Sequence, residues 1–147
     1  MKRLSNAAFL YMLLGVTSGL FYREFTKIND FPAGEFTQLA GVHTHFLSLG
    51  FIVLLIVLAL EKLFGLSEDQ KLFTWFFWLY NAGLILTASM MIWHGSLTVL
   101  GEQGTPMISG IAGLGHMLLS AGMIVLFVTL RRALARQEST NATASAI

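Results

Sequence analysis

The chain has 147 residues, of which 55% are hydrophobic and only 12% are charged, with a formal net charge of +1 and a mean hydropathy of +0.70. This composition excludes a soluble domain or a nucleic-acid-binding protein and predicts an integral membrane protein whose main partner is the lipid bilayer. The absence of cysteine excludes disulfides, iron–sulfur clusters, thiolate metal ligands and covalently attached haem.

Charged residues fall in clusters, and the apolar stretches between them are long enough to cross a bilayer, since about 20 helical residues span about 30 Å of hydrocarbon. Backbone polar groups in lipid need partners within the protein, so each stretch is predicted to be an α-helix. The fold class is therefore all-α, an integral membrane four-helix bundle. A four-helix domain is predicted over residues 1–136, with a disordered polar C-terminal tail over 137–147. The predicted spans are about 4–24, 36–60, 72–100 and 106–130.

The distribution of basic residues predicts the orientation of the bundle. One side of the membrane carries only Arg23 and Lys27. The other side carries the basic residues before the first span, between the second and third, and after the fourth, which are Lys2, Arg3, Lys62, Lys71, Arg131, Arg132 and Arg136. Because basic residues concentrate on the cytoplasmic side, both termini are predicted to be cytoplasmic.

All four histidines lie inside predicted spans: His43 and His45 in the second, His94 in the third and His116 in the fourth. At about 1.5 Å per helical residue, counting from the span ends places them about 12–15 Å below the outer boundary. Each could simply bond to backbone or to water. Four imidazoles at one level, from three helices, instead favour a cofactor or metal held by histidine.

The spacing of the paired histidines bears on which cofactor they serve. His43 and His45 lie about 200° apart around a helix and face opposite ways, which disfavours a compact zinc or copper site that uses both. Haem b fits better, because a helix bundle can hold a porphyrin between axial imidazoles from facing helices. The preferred axial pair is His45 and His116. His43 and His94 are expected to form a second site or to act across a subunit interface.

Two basic residues lie at the outer end of the first span. Arg23 and Lys27 are expected to bind the anionic haem propionates, Arg23 in a bidentate manner. The alternative is ordinary placement of long basic side chains at the interface.

The decapeptide Gly41-Val42-His43-Thr44-His45-Phe46-Leu47-Ser48-Leu49-Gly50 resembles the His-x-His-aromatic-x-Leu-Ser-x-Gly stretch of the catalytic subunit of haem-copper oxygen reductases. The segment Met91–Gly101 is similar to the part of that subunit that carries paired copper-ligating histidines. The resemblance implies that His43 and His45 are haem ligands facing two sites and that His94 is a second haem ligand or a copper ligand. The chain is also similar to small bacterial four-span proteins, which implies the bacterial cytoplasmic membrane.

Within the oxidase subunit, three such four-helix units are related by pseudo-symmetry, so the resemblance also implies that a lone unit forms a homotrimer. The predicted function is haem b binding for electron transfer or for redox or gas sensing, with the redox partner, quinol or otherwise, unidentified and catalysis undecided. The alternatives are a protein that binds or transports non-haem copper, zinc or iron through the same histidines, and a structural subunit without a cofactor.

Overall fold

Four long helices make up the protein. The computed structural model describes residues 1–145, with side chains described through residue 142. Every regular element in that range is helical, and all four helices are long and apolar enough to cross a membrane, as the sequence predicts. The helices are α1 (Lys2–Ile28), α2 (Leu39–Phe64), α3 (Gln70–Val99) and α4 (Pro106–Ser145). We call the end with the termini the inner end, and the end with loops 29–38 and 100–105 the outer end.

The turn between α2 and α3 is fixed by specific hydrogen bonds. Gly65 ends α2 in the left-handed region, at φ 61°, where a residue without a Cβ is not strained. The buried carboxylate of Glu61 accepts hydrogen bonds from the backbone N–H of Ser67, at 2.8 Å, and from its hydroxyl. Asp69 then caps α3 by accepting from the N–H of Leu72 at 3.3 Å. These bonds hold the inner ends of α2 and α3 together.

Helix α2 changes its hydrogen-bonding pattern in the middle. It is α-helical over Leu39–His45, π-helical over Phe46–Ile52 and α-helical again over Val53–Phe64. The π-helical hydrogen-bonding pattern extends to Val53, whose N–H donates to the carbonyl of Ser48 five residues back. In the same segment the hydroxyl of Tyr80 on α3 donates to the carbonyl of Leu49 at 2.9 Å. The π-helical segment is therefore stabilised from a neighbouring helix.

Small residues determine how closely the helices approach. Helices α3 and α4 form the most extensive pair. A Cβ added to Gly83 of α3 would lie 2.5 Å from the backbone nitrogen of Leu119, so only glycine allows this separation. Helix α1 packs along α2, and the hydroxyl of Tyr11 donates to Asn81 of α3 at 2.8 Å in the buried centre.

Helices α2 and α4 diverge toward the outer end. Extended contact between them is confined to Val53–Phe64. There they enclose an entirely apolar cavity of about 200 Å³, lined by residues that include Val57, Met123 and Phe127. Closer to the outer end, segment 39–52 of α2 makes few contacts with α4 among the described residues. We call the region between them the outer cleft.

The C-terminal segment is helical, which differs from the disordered tail that the sequence predicts. Helix α4 continues to Ser145, and residues 146–147 lie outside the described residues. The guanidinium of Arg136 donates to the carbonyl of Gly65 at 3.1 Å, and Gln137 donates to Leu63 at 3.0 Å. These bonds to the end of α2 fix the beginning of the segment. Composition alone suggests disorder because the partners of Arg136 and Gln137 are about 70 residues away in sequence.

Candidate histidine site in the outer half of the bundle

His43 and His45 lie on opposite sides of α2, as their spacing predicts. A Cβ added to Gly19 of α1 would lie 3.6 Å from the Cβ of His43. Gly41 is one turn from His45 on the same side of α2, and it approaches Met91 of α3. His43 therefore faces α1, whereas His45 faces α3.

Contacts between helices set the relative depths of the histidines. Gly41 lies level with Met91, and one turn deeper on each helix are His45 and Thr87. Gly115 of α4 packs directly against Thr87, so its neighbour His116 lies at that level too. His45 and His116 are therefore at the same depth.

His116 lies on the side of α4 that turns toward α2. It precedes Met123 by seven residues, or two helical turns, and Met123 lines the apolar cavity between α2 and α4 in the inner half. The His116 side chain is exposed and that of His45 is half-buried. The two residues lie at one depth on the two helices that flank the outer cleft.

The two imidazoles in the outer cleft make the same hydrogen bond. His45 Nδ1 lies 2.9 Å from the carbonyl of Gly41, and His116 Nδ1 lies 2.9 Å from the carbonyl of Ala112, in both cases four residues back on the same helix. A carbonyl oxygen only accepts, so Nδ1 carries the proton and Nε2 presents its lone pair. Histidine ligands of metals are oriented in this way.

His94 lies nearer the outer surface than the other three. Its neighbour Gly95 packs against the backbone nitrogen of Leu39, which is four residues and about 6 Å closer to the outer end than His43. A Cβ added to Gly104 would overlap the His94 ring, so the loop 100–105 covers this imidazole. The structure does not bring His94 together with His43, which faces α1.

Three buried side-chain atoms lack a hydrogen-bond partner among the described residues, and all three are in the outer half: His43 Nδ1, Thr87 Oγ1 and His94 Nδ1. An unpaired buried polar atom costs about 1–3 kcal/mol. Each of these atoms belongs to a histidine or lies level with the His45–His116 pair. Among the described residues, the buried side-chain atoms without a hydrogen-bond partner are therefore all in the outer half of the bundle.

Arg23 and Lys27 lie on the His43 side of the molecule. Arg23 follows Gly19 by one turn of α1 and Lys27 follows one turn later, so both stand above His43. The Arg23 side chain is 75% exposed and its Nε is 3.6 Å from Glu24. The structure therefore groups these two cations with His43 and separates them from the outer cleft.

The structure also bears on a compact metal site. Among the described residues, no three histidine, aspartate or glutamate side chains are grouped closely enough to hold one metal ion. The four histidines point to α1, to the outer cleft and into the loop. One chain therefore does not bring them together as a three-ligand copper, zinc or iron centre.

Sequence reasoning misses two parts of this site. The π-helical segment begins directly after His45, and π-helical turns are frequent at functional sites. Thr87, whose unpaired hydroxyl is buried against Gly115 of α4, has the sequence context of an ordinary residue of a span. Neither feature has a signal in residue type or spacing, because both depend on contacts between helices.

Comparisons with known proteins give a partial match to an oxidase subunit and a match to a family of unknown function. The chain is similar to cytochrome c oxidase subunit 1 of Alkalihalophilus pseudofirmus, at 30% identity over 105 residues that make up 64% of this chain. The matched part spans only 17% of the length of that subunit. No solved structure matches the chain. Residues 1–133 match the family described as "Protein of unknown function (DUF2871)", and the chain belongs to that family.

Proposed function

We propose that this protein binds haem b in the outer cleft, with His45 and His116 as the axial ligands. The observation that carries the proposal is the shared hydrogen bond of the two imidazoles, each of which donates Nδ1–H to its own helix at 2.9 Å and leaves Nε2 free. The match to a cytochrome c oxidase subunit supports the same cofactor.

The residues around the pair suit a flat apolar macrocycle. Gly113 lies one turn from His116, and a Cβ added to it would meet nothing within 4 Å. A planar ring can therefore approach the backbone of α4. The unpaired Thr87 hydroxyl lies level with the imidazoles. The cavity beneath, between Val57 and Met123, is entirely apolar.

Two axial imidazoles favour electron transfer over oxygen chemistry. Haem supplies a one-electron carrier, and two histidine ligands leave no open coordination position for a gas. His45 and His116 would fix the orientation of the ring through the proton that each holds on Nδ1. Redox or gas sensing becomes the function if one of the two imidazoles is displaced.

A second haem b is proposed at His43. This imidazole faces the edge of α1 with an unpaired, buried Nδ1. Arg23 and Lys27 stand one and two turns above it and are suited to bind propionates. Among the described residues no second histidine faces His43, so that ligand would come from a neighbouring subunit. The homotrimer implied by the oxidase resemblance is proposed as the assembly that supplies it.

The orientation of the bundle is part of the proposal. The inner end carries Lys2, Arg3, Lys62 and Lys71 together with the basic residues of α4, and this excess of basic residues supports a cytoplasmic location in a bacterial cell. The histidines then lie in the half of the cytoplasmic membrane that faces away from the cytoplasm.

The test is the absorption spectrum of the full chain purified in mild detergent after expression with haem precursors. We expect a Soret band and sharp α and β bands on reduction. His116→Ala and His45→Ala should each abolish the six-coordinate spectrum, and added imidazole should restore it. Imidazole supplies the missing ligand without changing the fold.

The matched control is His94→Ala, which removes an imidazole that the loop covers. We expect this variant to keep the six-coordinate spectrum of the haem bound in the outer cleft. A colourless wild-type protein with stoichiometric copper, zinc or iron would contradict the proposal. So would an unchanged spectrum in both His45→Ala and His116→Ala.

A further inference from the structure

The inner end of the bundle contains a cavity that the histidine site does not use. It has a volume of about 500 Å³ and lies where the first turn of α1 meets the start of α3. We call it the N-terminal cavity. Its polar lining consists of Lys2, Arg3, Ser67, Gln70 and Thr74.

The two cations of this cavity have no acidic partner. Among the described residues, no carboxylate lies within 4 Å of Lys2 or Arg3. The acidic residues of this end bond elsewhere: Glu61 to Ser67, Glu68 to Arg136 at 3.1 Å, and Asp69 to Arg132 at 2.9 Å. The N-terminal cavity is therefore a positively charged site with unused hydrogen-bond donors.

The cavity also joins the apolar part of the bundle. Leu4 and Phe73 line it, and Leu4 is 1% exposed. Trp75 and Trp78 on the neighbouring turns of α3 are exposed, at 56% and 62%, and exposed tryptophans mark the level of lipid headgroups. A ligand bound here would have its polar part beside Lys2 and Arg3 and its apolar part in hydrocarbon.

We propose that the N-terminal cavity binds the phosphate of an anionic phospholipid. Arginine pairs with phosphate through two parallel hydrogen bonds, and the lysine adds a point charge. Gln70 and Thr74 supply neutral polar groups for the glycerol part of the headgroup. Basic pockets between transmembrane helices recognise anionic headgroups in this way. This site is independent of the haem proposal.

The test uses the full chain in dodecyl maltoside micelles with added phosphatidylglycerol or phosphatidylcholine, and counts retained lipid by native mass spectrometry. We expect the wild type to prefer phosphatidylglycerol by about 30-fold, since two basic residues each contribute about a fivefold preference. The double variant Lys2→Gln/Arg3→Gln should lose that preference. The matched control Lys62→Gln/Arg131→Gln removes two charges at the same end outside the cavity. This variant should keep the preference for phosphatidylglycerol.

Further measurements separate the sources of phosphate and need no variant. Added salt should reduce the preference of the wild-type protein, because the site is charged and open to water. Inorganic phosphate alone should compete weakly, since it lacks the apolar part. The proposal is overturned if the wild type does not distinguish the two lipids, if both double variants lose the preference equally, or if inorganic phosphate binds as tightly as phosphatidylglycerol.

Discussion

The position of one proton decides which ring nitrogen of a neutral histidine can bind a metal. His45 and His116 hold that proton on Nδ1, against a carbonyl four residues back, whereas the buried Nδ1 atoms of His43 and His94 have no hydrogen-bond partner among the described residues. The first arrangement fixes both the tautomer and the ring plane. This side-chain hydrogen bond does not disrupt the helix, because the carbonyl oxygen keeps a second lone pair for the backbone hydrogen bond of the helix. The sequence does not show where these protons lie. The structure divides the four imidazoles into two kinds by the hydrogen bonding of Nδ1.

Asp69 provides a prediction on pH at the scale of one residue. The hydrogen bond from the N–H of Leu72, followed by the bond and charge of Arg132, holds the pKa of its carboxyl below the usual 3.8. A lowered pKa in the folded state adds stability above the unfolded pKa, and this stability is lost as the pH falls through the folded value. We expect Asp69→Asn to be less stable than the wild type at neutral pH. The difference should shrink below about pH 4.

Thermal unfolding in detergent, followed by circular dichroism, measures this difference. Asparagine still caps a helix, so Asp69→Asn isolates the charge. Asp69→Ala removes the cap as well and should be less stable than Asp69→Asn at every pH. A gap between wild type and Asp69→Asn that persists unchanged in acid would show that the charge contributes nothing.

At the scale of elements, the pairing of α3 with α4 depends on glycines at particular positions. A Cβ added to Gly115 would lie 2.9 Å from the backbone nitrogen of Thr87, and it would overlap the Thr87 hydroxyl. We expect Gly115→Ala to lower the free energy of unfolding by about 1–3 kcal/mol, because backbone atoms cannot move aside as a flexible side chain can. Unfolding in mixed detergent micelles measures the loss.

Gly110 on the same helix is the matched control. A Cβ added there would meet nothing within 4 Å, so Gly110→Ala should be neutral or should stabilise α4 by up to about 1 kcal/mol through helix propensity. Equal losses in Gly110→Ala and Gly115→Ala would mean that the close approach of α3 and α4 adds no stability.

The elements also show what hydrophobic patterning predicts and what it omits. Composition and charge clusters predict four helices, because only closed backbone hydrogen bonding survives in lipid. The opposite directions of His43 and His45 follow from their spacing, and the contacts with Gly19 and the Met91 side of α3 agree with it. The covered position of His94 does not follow, because loop 100–105 folds back over the helix end, and no periodicity describes a loop.

At the scale of the whole molecule, orientation is the property that charge alone predicts. The chain contains no cysteine, so single cysteines can report the side of the membrane without background. We expect Ala33→Cys, in the outer loop, to react with an impermeant maleimide added to intact cells. Glu138→Cys, in the inner part of α4, should react only after the membrane is opened if both termini are cytoplasmic, as we propose.

Tight packing cannot explain a difference between the two positions, since Ala33 and Glu138 are both exposed. Labelling of Glu138→Cys in intact cells would show that the bundle has the opposite orientation, with the histidines in the cytoplasmic half of the membrane. The proposed haem b site and the proposed lipid site would keep their geometry in that case, but each would face the opposite leaflet.

The π-helical segment of α2 has a consequence for comparing relatives. A turn of this kind holds one residue more than an α-helical turn, so the stretch Phe46–Ile52 marks the position of an insertion. Homologues whose second helix is α-helical throughout will match this chain only when an alignment opens a single-residue gap there. Without that gap, the alignment would pair residues of α2 that face other helices in this chain with residues that face lipid in the homologue. Conservation around the histidines would then be underestimated.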